Sequence, residues 1–292
     1  EIRNCDWSSD VCSSDLSENK TGVLLIILGS PKELTKKSVR DYLKVFLSDD
    51  YVLDIPKILQ QLILRVFILP FRPKNTLEAY EQIWTPEGSP LILSTESIAK
   101  KLCSKTGWDV EYAMRYEDPS IESALLNFKN KGIFELIVIS LYPHNAMATT
   151  ITTEMETRIV AHKVSEDFKL TFTKPFFDNE IYINAIANTI KPCIEKASFD
   201  KIVFSYHGIP KRQAKKTDET GEHCFSDGNC CEIVGDGSKD CYGVWRHGVF
   251  SAVYRSATDT RRLPRSHCFA SDRKSTRLNS SHSSVSRMPS SA

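Results

Sequence analysis

Val23-Leu24-Leu25-Ile26-Ile27-Leu28-Gly29-Ser30-Pro31 sets six apolar residues in an unbroken run and then ends it with a glycine, a serine and a proline. A strand with one wet face alternates apolar and polar side chains. A continuous run marks instead a strand buried on both faces, as in a parallel sheet covered by helices. Downstream, Val39, Tyr42, Leu43, Val45 and Phe46 fall near helical spacing and predict a helix with one apolar face. Further apolar runs at 110–114, 136–141, 170–176 and 202–204 are each separated by a stretch long enough for a helix. This β-α-β rhythm predicts an α/β fold, with functional residues on loops at the carboxyl ends of parallel strands.

The bulk properties narrow the classes of function. A chain of 292 residues with 41% hydrophobic content holds one large domain or two smaller ones. Lys+Arg 38 against Asp+Glu 37, a net charge of +1, gives no electrostatic footprint for nucleic acid. The longest apolar stretch, from Leu59 to Phe71, is interrupted by Gln60, Gln61 and Arg65 and is too short to span a bilayer. The first residues carry Asp6, Asp10 and Asp15 and lack the basic leader and apolar core of a secretory signal, so a cytoplasmic protein is expected. Nine cysteines in such a chain read as reduced thiols or metal ligands rather than disulfides.

The two ends read differently from residues 17–242. The stretch from Cys5 to Leu16 and the stretch from Arg273 to His282 resemble translated adapter DNA, and 243–270 lacks sustained apolar periodicity, as a shifted reading frame would. The expected organisation is a non-native leader over 1–16 and a first α/β domain over 17–177. The start of a second α/β domain with a cysteine-rich loop follows over 178–242, and a frameshifted tail over 243–292.

The sharpest chemical feature is Phe204-Ser205-Tyr206-His207-Gly208-Ile209-Pro210, a histidine directly after a short apolar strand. An imidazole titrating near 6.5 can ligate a divalent metal or accept a proton at that position, and it can equally cap a strand or satisfy a buried carbonyl. Gly208 allows a flat ligand close to the backbone, and Pro210 stiffens the exit.

Ser205-Tyr206-His207-Gly208-Ile209-Pro210 resembles the signature around the active-site histidine of the ferrochelatase family. Other segments agree in order: Leu24 to Pro31 with the first strand and loop, and Ser38 to Asp49 with the following helix. Tyr80 to Leu91, including Trp84, Ser89 and Pro90, resembles the lip over the porphyrin. Arg115, Tyr116 and Pro119 match an Arg-Tyr-x-x-Pro segment, and Leu141, Tyr142 and Pro143 a third strand end. The resemblance implies two Rossmann-like, chelatase-type parallel-sheet domains, the second incomplete here. It implies insertion of ferrous iron into a porphyrin, protoporphyrin or coproporphyrin, to make haem.

On that resemblance His207 is the catalytic residue, as ligand of the substrate Fe²⁺ or as proton acceptor. Trp84, Ser89, Pro90, Arg115, Tyr116 and Tyr206 would contact the porphyrin; with no spanning segment, peripheral contact is the form of membrane association left open. Departures are Ile27 in place of an asparagine and the His144-Asn145 ending of the third strand. The family's later glutamate, in a strand-end Pro-Gly-Phe segment, has no match after Tyr242. Loss of one half of an acid/base or metal pair is expected to cost orders of magnitude in rate, leaving the chain inactive as written. The rival readings are a related tetrapyrrole metal chelatase and a non-catalytic porphyrin- or iron–sulfur-binding module.

Cys224, Cys230, Cys231 and Cys241 match in number the ligands of an iron–sulfur cluster, although no Cys-x-x-Cys pair is present. Four free thiols in a reducing compartment account for them as well. Some members of the family carry a 2Fe–2S cluster with cysteines internal to this region, which the run resembles. Cys103 and Cys193 read as small apolar residues.

Overall fold

The computed structural model describes residues 20–196, 207–218 and 220–224. The first strand, β1 (Thr21–Ile27), is followed by α1 (Lys36–Leu47), α2 (Lys57–Ile63), α3 (Leu69–Glu81) and α4 (Pro90–Thr106) before β2 (Val110–Met114). Then come α5 (Ile121–Asn130), β3 (Glu135–Ser140), α6 (Thr152–Val164), β4 (Lys169–Phe172), α7 (Glu180–Lys196) and α8 (Lys211–Lys216). Leu64–Ile68 between α2 and α3, and Met147–Ile151 before α6, are π-helical.

The four strands are parallel in the order β2-β1-β3-β4. The chain steps from β1 outward to β2, then crosses back to β3 on the other side of β1. The loops after β1 and β3 therefore diverge, opening the crevice where open α/β sheets bind ligands. The continuous run of β1 has the predicted cause. Leu24 and Ile26 join Leu125, Phe128 and Val138 in a core under α5 and α6, while Val23 and Leu25 pack with Ala99 and Val110 under α4. A third cluster of Val39, Leu43, Leu47, Leu64 and Leu69 sits between α1 and the α2–α3 arm.

Local signals set the helix ends. Thr35 accepts the Ser38 N–H at the start of α1, and Ser120 accepts the Ser123 N–H at the start of α5. Pro90 occupies the first turn of α4, and Gly107 ends it in the left-handed region at φ 72°.

Two expectations are corrected. Val45 points to solvent at 48% exposure because it lies off the Val39–Tyr42–Leu43 stripe of α1. The strand expected over 170–176 pairs only as β4, and the remaining residues run out as irregular chain. The strand expected at 202–204, the leader 1–16 and the tail 243–292 lie outside the described residues, as do Tyr206, Cys230, Cys231 and Cys241.

Candidate active site

The loops at the carboxyl ends of β1 and β2 are laced together. Arg115 N–H donates to the Ile27 carbonyl at 2.7 Å and Tyr116 N–H to the Leu28 carbonyl at 3.0 Å, carrying the ladder past the strands. Gly29 is required at this crossing: its φ is 100°, and a Cβ there would lie 2.1 Å from the Tyr116 carbonyl oxygen. The close approach turns Arg115 and Tyr116 toward the end of α1.

There Asp49 gathers them. Its Oδ2 accepts from Arg115 Nη2 at 2.7 Å, from the Tyr116 hydroxyl at 2.7 Å and from the Thr152 hydroxyl at 2.5 Å. Arg115 Nε donates to Thr152 Oγ1 at 3.0 Å, so two of its nitrogens are fixed, and Glu156 lies 3.7 Å away on the other side. The pair is nearly dry, with side-chain exposures of 12% for Arg115 and 6% for Asp49. Arg115 also lies over the Tyr116 ring at 4.5 Å. The charge of a guanidinium so held is met by Asp49 and Glu156, so Arg115 is rigidly oriented at the strand ends and acts there as a fixed hydrogen-bond donor.

Around it stand phenols. Tyr116 packs edge-on against Phe46 at 5.2 Å, and Phe46 stacks with Tyr42 at 5.9 Å. Tyr42 donates to the Gly29 carbonyl at 3.3 Å and is hydrogen-bonded to Tyr80, whose ring meets Trp84 edge-on at 6.0 Å. Burial pushes the phenols of Tyr42, Tyr116 and Tyr142 above the ordinary tyrosine value; for Tyr116 the hydrogen bond to Asp49 adds to this and the Arg115 charge opposes it. They therefore remain neutral hydroxyls throughout the physiological range. The Tyr142 hydroxyl is buried and has no hydrogen-bond partner among the described residues. His144 stacks on Phe177 at 5.5 Å, and burial lowers its pKa.

The other expected residues fall as follows. Trp84 is half-buried beside the Thr85–Gly88 turn, whose two backbone bonds are each 3.1 Å. Ser89 is 5% exposed and its carbonyl opens α4, which Pro90 begins. Tyr116 is 1% exposed, so its hydroxyl serves Asp49, and contact between its ring and a macrocycle would require Phe46 to move. His207 is exposed, three residues before Pro210 caps α8. Cys224 is buried, and its N–H donates to Asp218 at 2.7 Å. Asp218 also accepts from His223 N–H and from both donors of Thr220, which hold its carboxyl down at about 2. Cys103 packs against the α4 core as expected, whereas Cys193 is exposed on α7.

Residues 20–245 match the family model described as Ferrochelatase. The chain belongs to the ferrochelatase family. It is 36% identical over 222 residues to a ferrochelatase of Pseudomonas fluorescens strain SBW25, covering 75% of this chain and 64% of that one. It is 38% identical over 213 residues to a ferrochelatase of Stutzerimonas stutzeri strain A1501, covering 72% and 61%. A ferrochelatase of Opitutus terrae is 36% identical over 248 residues, covering 84% and 71%. The chain thus spans less than two thirds of the length of the Pseudomonas and Stutzerimonas ferrochelatases.

Sequence reasoning missed the part Asp49 and Thr152 play. Asp49 closes the segment that resembles the family's first helix, but an aspartate at a helix end is ordinarily a solvated turn residue. Nothing local marks it as the partner of an arginine 66 positions away.

Proposed function

We propose that this chain carries the porphyrin-gripping half of a ferrochelatase, which inserts Fe²⁺ into a porphyrin to make haem. The observation that supports this best is the Arg115–Asp49–Thr152 anchor at the strand ends of a family member, within a shell of neutral phenols. A porphyrin is a flat apolar ring with anionic propionates. It suits a wall of Trp84, Ser89, Pro90 and Tyr206 with Arg115 at its charged edge, and Tyr116 joins that edge once Phe46 moves aside.

Insertion replaces two pyrrole N–H bonds with two Fe–N bonds, the other two nitrogens donate lone pairs, and two protons leave; no electron changes hands. Ring distortion brings the lone pairs out of plane, so binding energy serves the approach to the transition state. His207 takes a pyrrole proton or holds the incoming Fe²⁺. The phenols, kept protonated by burial, cannot act as bases at neutral pH and serve as walls and donors.

Cys224, Cys230, Cys231 and Cys241 would hold a 2Fe–2S cluster, which supplies a one-electron redox centre and a crosslink within the loop. Cys224 fits such a ligand, because Asp218 pins its backbone and its side chain is shielded from water. We place the protein in the cytoplasm, and Ile58, Phe67 and Phe71, exposed at 87%, 62% and 70% along the α2–α3 arm, support peripheral contact with a membrane. Among the described residues no helix is long and apolar enough to cross one.

The test is anaerobic Fe²⁺ or Zn²⁺ insertion followed by porphyrin absorbance, with binding tracked by fluorescence quenching. In the frame-corrected, full-length enzyme, His207→Ala is expected to abolish insertion while porphyrin binding stays within about threefold, since the ring is held by walls rather than by one imidazole. Wild-type turnover in that variant would overturn the assignment. Binding without insertion by the frame-corrected enzyme would reduce it to a porphyrin-binding module.

A further inference from the structure

The segment between α1 and α2 touches both parts of the candidate site. Asp49 receives Arg115, Tyr116 and Thr152 on one carboxylate oxygen and the Tyr51 N–H on the other, at 2.7 Å. Immediately after it, the Tyr51 and Val52 carbonyls accept from Gln213 Nε2 at 3.0 and 3.2 Å. Asp54 completes the contact, with Lys216 at 2.7 Å and Arg212 at 3.5 Å. Thus α8, which begins just after His207-Gly208-Ile209-Pro210, docks on the same turn that immobilises Arg115.

Gln213 is the unusual member of this contact. It is 3% exposed and is the buried residue of α8, where packing alone would favour an apolar side chain. A buried amide satisfied by two specific carbonyls allows one docking position, because any slide leaves polar groups unpaired. The exposed Lys216 and Arg212 pairs add little affinity but share the direction of pull.

We infer that Gln213 is a positioning residue: through the 49–54 turn it sets His207 against Arg115, so that one turn braces both sides of the reaction centre. The claim that this placement matters for catalysis rests on the proposed ferrochelatase reading; the claim that Gln213 holds His207 does not.

The experiment uses the frame-corrected, full-length enzyme carrying Gln213→Met, which keeps the volume and removes both donors, beside Asp54→Asn and the conservative Asp54→Glu. The readouts are the His207 imidazole resonance in histidine-labelled protein, identified with His207→Gln, amide exchange over 207–216, and insertion kcat against porphyrin Kd. Gln213→Met should move the resonance and lose at least tenfold in exchange protection. Insertion kcat should fall about tenfold, as displacement of a reacting group by a fraction of an ångström does, with Kd within twofold. Asp54→Glu should behave as wild type, and Asp54→Asn should show the same effects more weakly.

An unchanged His207 resonance and unchanged protection in Gln213→Met would overturn the inference, and so would a shifted resonance with undiminished kcat. If Gln213→Met unfolds the chain, Gln213→Asn, which keeps the amide but shortens its reach to the Tyr51 and Val52 carbonyls, decides by the same criteria. If the frame-corrected enzyme without these substitutions neither binds nor metallates porphyrin, the functional reading fails, and Gln213 is judged on resonance and exchange alone.

Discussion

Replacing Asp49 by asparagine tests the anchor of the site directly. The change keeps size and shape but removes the charge that Arg115, Tyr116 and Thr152 all face. Both charged side chains are almost inaccessible, so solvent screening is weak, and breaking a buried pair from one side costs about 3–5 kcal/mol. Two features reduce the figure. Asparagine retains one acceptor oxygen, and Glu156 at 3.7 Å compensates part of the Arg115 charge. The expected loss is about 2–3 kcal/mol in urea unfolding at pH 7 with an unchanged slope, or about 4–12 °C in Tm. Because the pair is buried, the loss should change little when salt rises from low to moderate concentration. Arg115→Gln in the same chain should recover part of it, with the double variant milder than the sum of the singles by more than about 1 kcal/mol. A loss below about 1 kcal/mol, or strict additivity, would show that Asp49 and Arg115 do not form the buried pair.

Three further outcomes follow from the same geometry. Gly29→Ala forces a Cβ against the Tyr116 carbonyl at a positive φ, so it should cost about 2–4 kcal/mol in urea unfolding; a loss under about 1 kcal/mol would mean the two loops can part freely. Burial lowers the His144 pKa in the folded chain, so the unfolded chain binds the proton more readily: stability should fall as pH drops through 6.5 toward the folded value, and be recovered above 6.5. His144→Gln should flatten that dependence, and equal slopes in the two proteins would refute it. Asp218 runs the other way. Its carboxyl is held at about 2 by Cys224, Thr220 and His223, so its contribution is present above 3.8 and lost as pH falls toward 2; amide exchange at Cys224 should accelerate over that window and should already be fast at neutral pH in Asp218→Ala.

The course of β1 was legible because burial on both faces leaves a one-dimensional trace, an unbroken apolar run, that needs no knowledge of the partners. The stop at Gly29 was legible too, though not its reason, since the Tyr116 carbonyl that excludes a Cβ arrives from another loop. The placement of Arg115 just past a strand end followed from the same local reading and from the ordered family segments, while the strand expected before His207 lies outside the described residues. What holds them could not be read this way. Asp49 lies 103 positions from Thr152, and Gln213 lies 162 from Tyr51, and polar residues carry no periodicity that names a distant partner. Val45 marks the same limit within one helix: five apolar residues near helical spacing predicted one face, but only packing against α3 decided which of them it buries. The sequence by itself determined strands, helices and their order, because these depend on propensity and local burial pattern. Tertiary structure alone decided that one turn after α1 holds the arginine on one side and docks the histidine segment on the other. That contact exists only once the sheet has formed and the helices have stacked over it.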